Sequence, residues 1–127
     1  MHWAEKYHLG LRSMDEQHRD FVSLLKDLRI ADKGEFSSLF RILCEHIAAH
    51  FEFEDALMQE LNFPARVEHR GEHLRVLGEL VQFNRQVEQG RTMMAQAYVN
   101  ERLPEWFGLH VSTMDSALAA HVNKVTI

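Results

Sequence analysis

A single cysteine, Cys44, is the whole thiol content of the chain, so no disulfide can form within it, and a reducing cytoplasm is the expected location. Basic charge is also short. With 14 Lys and Arg against 19 Asp and Glu the net charge is -5, which argues against nucleic-acid binding, normally marked by a basic patch or high pI. No run approaches the ~18 apolar residues of a membrane span, and the N-terminus lacks the hydrophobic region of a signal peptide, so no membrane insertion is expected. Strand-type alternation is missing. So are internal repeats, low-complexity tracts and a second compositional zone, which makes residues 1–127 one domain, large enough for a single packed core.

Histidine, in contrast, is plentiful, with nine in 127 residues, and its positions carry the argument. Apolar residues recur with a helical period in four segments, about 13–30, 35–61, 64–89 and 92–122. Ser13 and Glu16 read as a capping box for the first, and Asp32-Lys33-Gly34 as the break before the second. The second stops at Asn62-Phe63, and Pro64 suits the first turn of the third. Gly90 ends the third. Pro104 lies inside the fourth and predicts a kink near residues 100–104, because its ring meets the carbonyl of Asn100. Four long helices with short connections make an all-α, up-down-up-down antiparallel four-helix bundle. Ahead of it, Trp3, Tyr7 and Gly10 mark an ordered N-terminal arm.

The inward stripes of these helices carry polar residues. His50 and Glu54 stand one turn apart, about 6 Å along the axis at ~1.5 Å per residue, on the stripe that includes Phe40, Leu43, Ile47 and Met58. His18 falls between Met14 and Phe21, while His69 and His73 extend the stripe of Val76 and Leu80. The fourth helix adds His110 and Asp115. Five imidazoles and two carboxylates thus converge from four rods. Burying them unpaired would cost several kcal/mol, and a metal is the strongest partner. Imidazole with carboxylate suits iron, zinc or copper, and no thiolate is available at these positions. Two six-coordinate ions offer about 12 places; bridging carboxylates, the histidines and a shared oxide or hydroxide would leave one open. The His110–Asp115 step is awkward, since five residues turn ~500°, about 140° off the face. Asp115 must therefore approach from the edge of the stripe, or the helix must be locally distorted.

Other residues have blander readings. His2, His8 and His121 lie near the ends and read as surface residues, and His46 as a packed or rim histidine one turn before His50. Cys44 reads as a small hydrophobe. The acidic runs Asp15-Glu16 and Glu52-Glu54-Asp55 read as solvated faces, Glu54 excepted.

Met14-Asp15-Glu16-Gln17-His18, His50-Phe51-Glu52-Phe53-Glu54 with Met58, His69-x3-His73 and Trp106-x3-His110-x4-Asp115 resemble, in order, the successive motifs of the hemerythrin family, in particular its bacterial branch, the bacteriohemerythrins. Trp3, Tyr7 and Gly10 resemble that family's N-terminal arm. The resemblance implies a non-haem di-iron centre, Fe2+ or Fe3+ with a bridging oxide or hydroxide, that binds O2 reversibly. It would place His69, His73 and His110 on one iron, His18 and His50 on the other, and Glu54 and Asp115 across both, with O2 at the iron holding two histidines. Asp55 stands where a second glutamate is common, Leu118 where a tyrosine often follows, and Pro104 is unusual. These departures spare every ligand position and fall mainly on the packing of the fourth helix.

Function follows as O2 storage, buffering or delivery by a non-enzymatic, freestanding monomer, with an oxygen-consuming enzyme or an electron donor as partner. The alternatives are an O2- or redox-sensing signalling domain, and a di-iron enzyme acting on H2O2, NO or ferrous iron. An O2 carrier must keep water and protons away from its ligand. Phe21, Phe51, Trp106, Phe107 and Val111, three or four positions from a ligand or beside one, are the expected apolar pocket.

Overall fold

The computed structural model describes residues 7–126; His2, and Trp3 with the outer part of the expected arm, lie outside that range. Helix α1 spans Arg12–Ile30, α2 Lys33–Glu60 and α3 Arg66–Glu88. The fourth rod is continuous but composite. It runs as α4 (Met93–Ala97), a wide π turn π1 (Tyr98–Arg102), α5 (Leu103–His110), a second wide turn π2 (Val111–Asp115) and α6 (Ser116–Val125). No strand occurs among the described residues. The short connections reverse direction each time and give the antiparallel four-helix bundle.

Each rod buries one stripe. On α2 the buried residues are Phe36, Phe40, Leu43, Ile47, His50, Phe51, Glu54 and Met58, a succession of three- and four-residue steps. The interior is layered along the axis. Phe21, Leu43, Val76, Leu80 and Phe107 belong to a large apolar cluster on one side, and Met14, Met58 and Leu118 to a small one on the other. On α1, α2 and the fourth rod the polar stripe residues lie between the two, and on α3 His69 and His73 precede Val76 and Leu80 of the large cluster. Leu118, where a tyrosine was the alternative, is fully buried against this smaller cluster. Each fully buried side chain of this size contributes ~1.5–3 kcal/mol, so the apolar layers hold a polar layer that would not assemble unaided.

The helix ends differ in places from what the sequence suggests. The capping box at Ser13 and Glu16 does not form: α1 starts one residue earlier, at Arg12, and Glu16 accepts from the Arg12 side chain at 3.0 Å. Asp15 takes the capping work instead. Its carboxylate accepts the Leu9 N–H at 2.8 Å and the Gly10 N–H at 3.1 Å, and His8 Nδ1 lies 3.4 Å away. Asp15 is therefore buried rather than solvated, because the arm folds back over the helix start and its amides need an acceptor. Asp32 caps α2 through the Glu35 N–H at 2.8 Å, which brings the helix start forward to Lys33.

Asn62 adopts φ 52°, and the bonds Asn62 N–H to Gln59 O (3.3 Å) and Phe63 N–H to Met58 O (2.9 Å) close α2 in a Schellman arrangement. That closure uses up the chain to Phe63, so Pro64 precedes α3 instead of sitting in its first turn. Gly90, at φ 82°, closes α3 in the same way. His121 is not a simple surface residue. It is half-buried, its ring nitrogen lies 2.8 Å from the Leu61 carbonyl, and it meets Phe63 edge-on, pinning the last rod to the α2–α3 turn.

Candidate metal centre

Five helical segments deliver the donors. His18 comes from α1, His50 and Glu54 from α2, His69 and His73 from α3, His110 from the end of α5, and Asp115 from the end of π2. All seven are buried, with Glu54 at 0% exposure and His50 the least covered at 9%.

Each carboxylate offers one oxygen to each side. Oε1 of Glu54 is 3.2 Å from Nε2 of both His69 and His73, and its Oε2 is 3.0 Å from His50 Nε2 and 4.0 Å from His18 Nε2. Asp115 mirrors it. Its Oδ1 is 3.1 Å from Nε2 of His69 and of His110, and its Oδ2 is 3.0 Å from His18 Nε2. The donors therefore form two groups that share both carboxylates: Glu54, Asp115, His69, His73 and His110 on one side, Glu54, Asp115, His18 and His50 on the other. Within each group the donor atoms all lie within 4.8 Å of one another.

The five-residue step from His110 to Asp115 is resolved by a helix distortion. In π2 the Ser116 N–H reaches back five residues to the Val111 carbonyl, so five residues rather than four complete a turn. Ser112 Oγ and Thr113 Oγ1 bond the carbonyls four residues back, Gly108 (2.8 Å) and Leu109 (2.7 Å), side-chain bonds of the kind that accompany a bent or widened turn. Upstream, π1 plays the same part for Pro104, where the kink was expected. The Leu103 N–H bonds the Tyr98 carbonyl five residues back, and the widened turn accommodates the proline ring near Asn100.

The electrostatics call for cations. Burial and the nearby Asp115 charge push Glu54 upward, yet His50 and His69 prevail and hold its carboxyl far below the ordinary range. Asp115 is also held low, the close approach of His110, His18 and His69 outweighing its burial. Burial likewise opposes a charge on His69, but Asp115 and Glu54 raise its pKa to about 9. His50 is raised against its burial by the charge and hydrogen bond of Glu54. His73 goes the other way because burial outweighs Glu54.

Even so, the protein groups alone do not satisfy the site. Among the described residues, His18 Nε2, Glu54 Oε2 and Asp115 Oδ1 have no aligned hydrogen-bond partner. His73 Nε2 and His110 Nε2 face each other at 3.0 Å, where at most one can donate. Unpaired buried groups of this kind each cost ~1–3 kcal/mol. The Nε2 atoms of all five rings face the two carboxylates, where a divalent or trivalent ion could replace their protons, and the imidazole–carboxylate set fits iron, zinc or copper. His50 shows how one ring is aimed: its Nδ1–H donates to the Gln17 side-chain oxygen, which leaves the Nε2 lone pair facing inward.

A cavity of about 20 Å³ adjoins the His18 and His50 side. Phe21, Phe51, Trp106 and Phe107 line it, with Ile47 and His46 and, from the donor set, His110 and Asp115 as well. Val111 does not; it is fully buried in the large apolar cluster at the start of π2. Phe107 stacks on Phe21 at 4.4 Å and meets the His18 ring edge-on at 5.5 Å. The arm closes over it, with Tyr7 edge-on to Phe107 and its hydroxyl 3.2 Å from where a Cβ on Gly108 would stand. Trp106 stacks on His110 at 4.4 Å and donates to Glu72 at 2.8 Å. That bond, after the one from Arg75, lowers the Glu72 carboxyl to about 2 despite partial burial. Gln17 and Glu72, each next to a ligand histidine in sequence, are contacts the sequence reading left out.

A four-helix bundle with histidine and carboxylate donors from every rod converging in its interior defines a helical protein with a metal-binding core. Residues 9–122 match the model of the hemerythrin HHE cation binding domain, and the chain belongs to that family. It is 35% identical over 113 residues to a bacteriohemerythrin of Ralstonia nicotianae, a match covering 89% of this chain and 82% of that protein. It is 22% identical to a bacteriohemerythrin of Stenotrophomonas maltophilia, over 96% of this chain and 84% of the other. The fold is also that of a wild-type hemerythrin crystal structure, with TM-score 0.88 and 17% identity, covering 96% and 97% of the two chains. No helix among the described residues is long and apolar enough to cross a membrane.

Proposed function

We propose that the protein binds O2 reversibly at two irons held by these seven side chains. One observation carries the reading: both carboxylates are shared between two donor groups, and the small cavity is lined by both histidines of the two-histidine group but by only one, His110, of the three-histidine group. His69, His73 and His110 would hold one iron, His18 and His50 the other, and Glu54 and Asp115 would span both. Such a pair supplies two electrons to O2 and recovers them on release. The rest is the work of the chain. Five imidazoles and only two carboxylates give the site little anionic charge, which disfavours the higher oxidation states used to break the O–O bond. Phe21, Phe51 and Phe107 bring carbon rather than polar atoms to the cavity and keep water and its protons out.

In air the iron-loaded protein is expected to show a visible ligand-to-iron charge-transfer band that disappears under argon and returns with oxygen over repeated cycles. A spectrum indifferent to oxygen contradicts the reading. Steady consumption of H2O2 or NO over many turnovers would replace it with an enzymatic one. Phe107→Ala removes the ring that covers His18 and should quicken autoxidation about tenfold, equivalent to ~1.4 kcal/mol off the barrier. The same change should cost ~3–5 kcal/mol of stability, so decay of the oxygenated spectrum is followed well below the unfolding transition. An unchanged decay rate takes Phe107 out of the water-excluding wall.

A further inference from the structure

Most residues lining the cavity beside His18 and His50 are buried; His46 and Trp106 are the half-buried exceptions. These two are the lining side chains that reach solvent, and they are held very differently. Trp106 is fixed on three sides. Its indole N–H bonds Glu72 at 2.8 Å, its ring stacks on His110 at 4.4 Å, and it stands edge-on to Phe51 at 6.0 Å. His46 makes one hydrogen bond among the described residues, from its Nε2–H to the Gln17 main-chain carbonyl at 3.1 Å. The acceptor is on α1 and the donor on α2, so this bond bridges the seam between the two helices. That nitrogen is committed to the carbonyl, and the ring stacks on no other described aromatic. Breaking one hydrogen bond whose partners water can then satisfy is well within reach of thermal motion.

We propose that His46 is the gate of the cavity: its imidazole, latched on the Gln17 carbonyl, swings on its side-chain torsions to admit and release a diatomic or triatomic ligand between α1 and α2. The inference rests on the reading above, that the cavity on the two-histidine side receives such a ligand. A gate of this kind raises the barrier to passage without touching either end state. It therefore scales association and dissociation by one factor and leaves the equilibrium constant alone. Gln17 connects the two functions, since its main-chain carbonyl holds the gate while its side chain aims His50.

The test uses azide as the probe ligand on the oxidised, iron-loaded full chain, followed by stopped-flow absorbance. His46→Ala should raise the association and dissociation rate constants together by about tenfold, with Kd kept within about twofold. His46→Gln, whose amide can still donate to the Gln17 carbonyl, should return both rates towards those of the unsubstituted protein, and it guards against a folding defect in the alanine variant. Unchanged rates in both variants overturn the gate, as does a change in dissociation alone, which would mean that His46 touches the ligand. Azide that binds the unsubstituted protein but ignores His46 removes the gate and leaves the ligand site standing. Failure of the unsubstituted, iron-loaded protein to bind azide removes both.

Discussion

Glu54→Gln is expected to empty both metal positions at once, lowering bound iron from about two per chain to well below one. The glutamine has nearly the same volume, so the packing around this fully buried side chain is kept. Two things change. The group that now presents separate oxygens to His69 and His73 and to His50 loses its charge, and one oxygen becomes an amide N–H₂ that cannot bind a cation. Because Glu54 serves both donor groups, one substitution acts on both. Iron per chain by elemental analysis, with helicity by circular dichroism to show that the fold persists, reads the result. A variant that keeps one iron firmly would mean Glu54 belongs to a single position.

His50→Ala should have a narrower but functionally complete effect. The group formed by Glu54, His69, His73, His110 and Asp115 is untouched, so about one iron should remain, while the second position keeps a single histidine, His18, beside the carboxylates. The oxygen-dependent band should vanish, because His50 is one of only two histidines at the iron position beside the cavity. His46→Ala, one turn earlier on α2, should keep both irons, because its ring nitrogen is bonded to the Gln17 carbonyl and takes no place in either donor group. Equal iron losses in the two variants would mean that the wrong α2 histidine has been assigned.

Much of this architecture was legible in the residue pattern because the same period that builds an amphipathic helix also aims ligands. His50 and Glu54 one turn apart, and His69 and His73 one turn apart, each continue an apolar stripe, and a stripe can face only the interior. The hidden part has identifiable causes. The His110–Asp115 step breaks the 3.6-residue period, and only the adjacent Ser112 and Thr113, whose hydroxyls bond carbonyls four residues back, hint at the wide turn that realigns it. Asp15 looked like one more acid in a charged run. Its burial depends on where the arm folds, and no helical period encodes that. His46 lies on the flank of the α2 stripe, where packed, rim and gating positions share one spacing. The Gln17 carbonyl that distinguishes them is a backbone atom, which leaves no mark in the sequence. Val111 adjoins His110 in sequence, yet it is fully buried and is not among the residues that line the cavity.

The central claim, two irons spanned by Glu54 and Asp115, is tested most directly by anomalous diffraction from crystals of the iron-loaded protein, collected above and below the iron absorption edge. The account predicts two iron peaks per chain, one among His69, His73 and His110 and the other beside His18 and His50, with both carboxylates reaching each. A single peak, or a signal at the zinc edge with none at the iron edge, would contradict it.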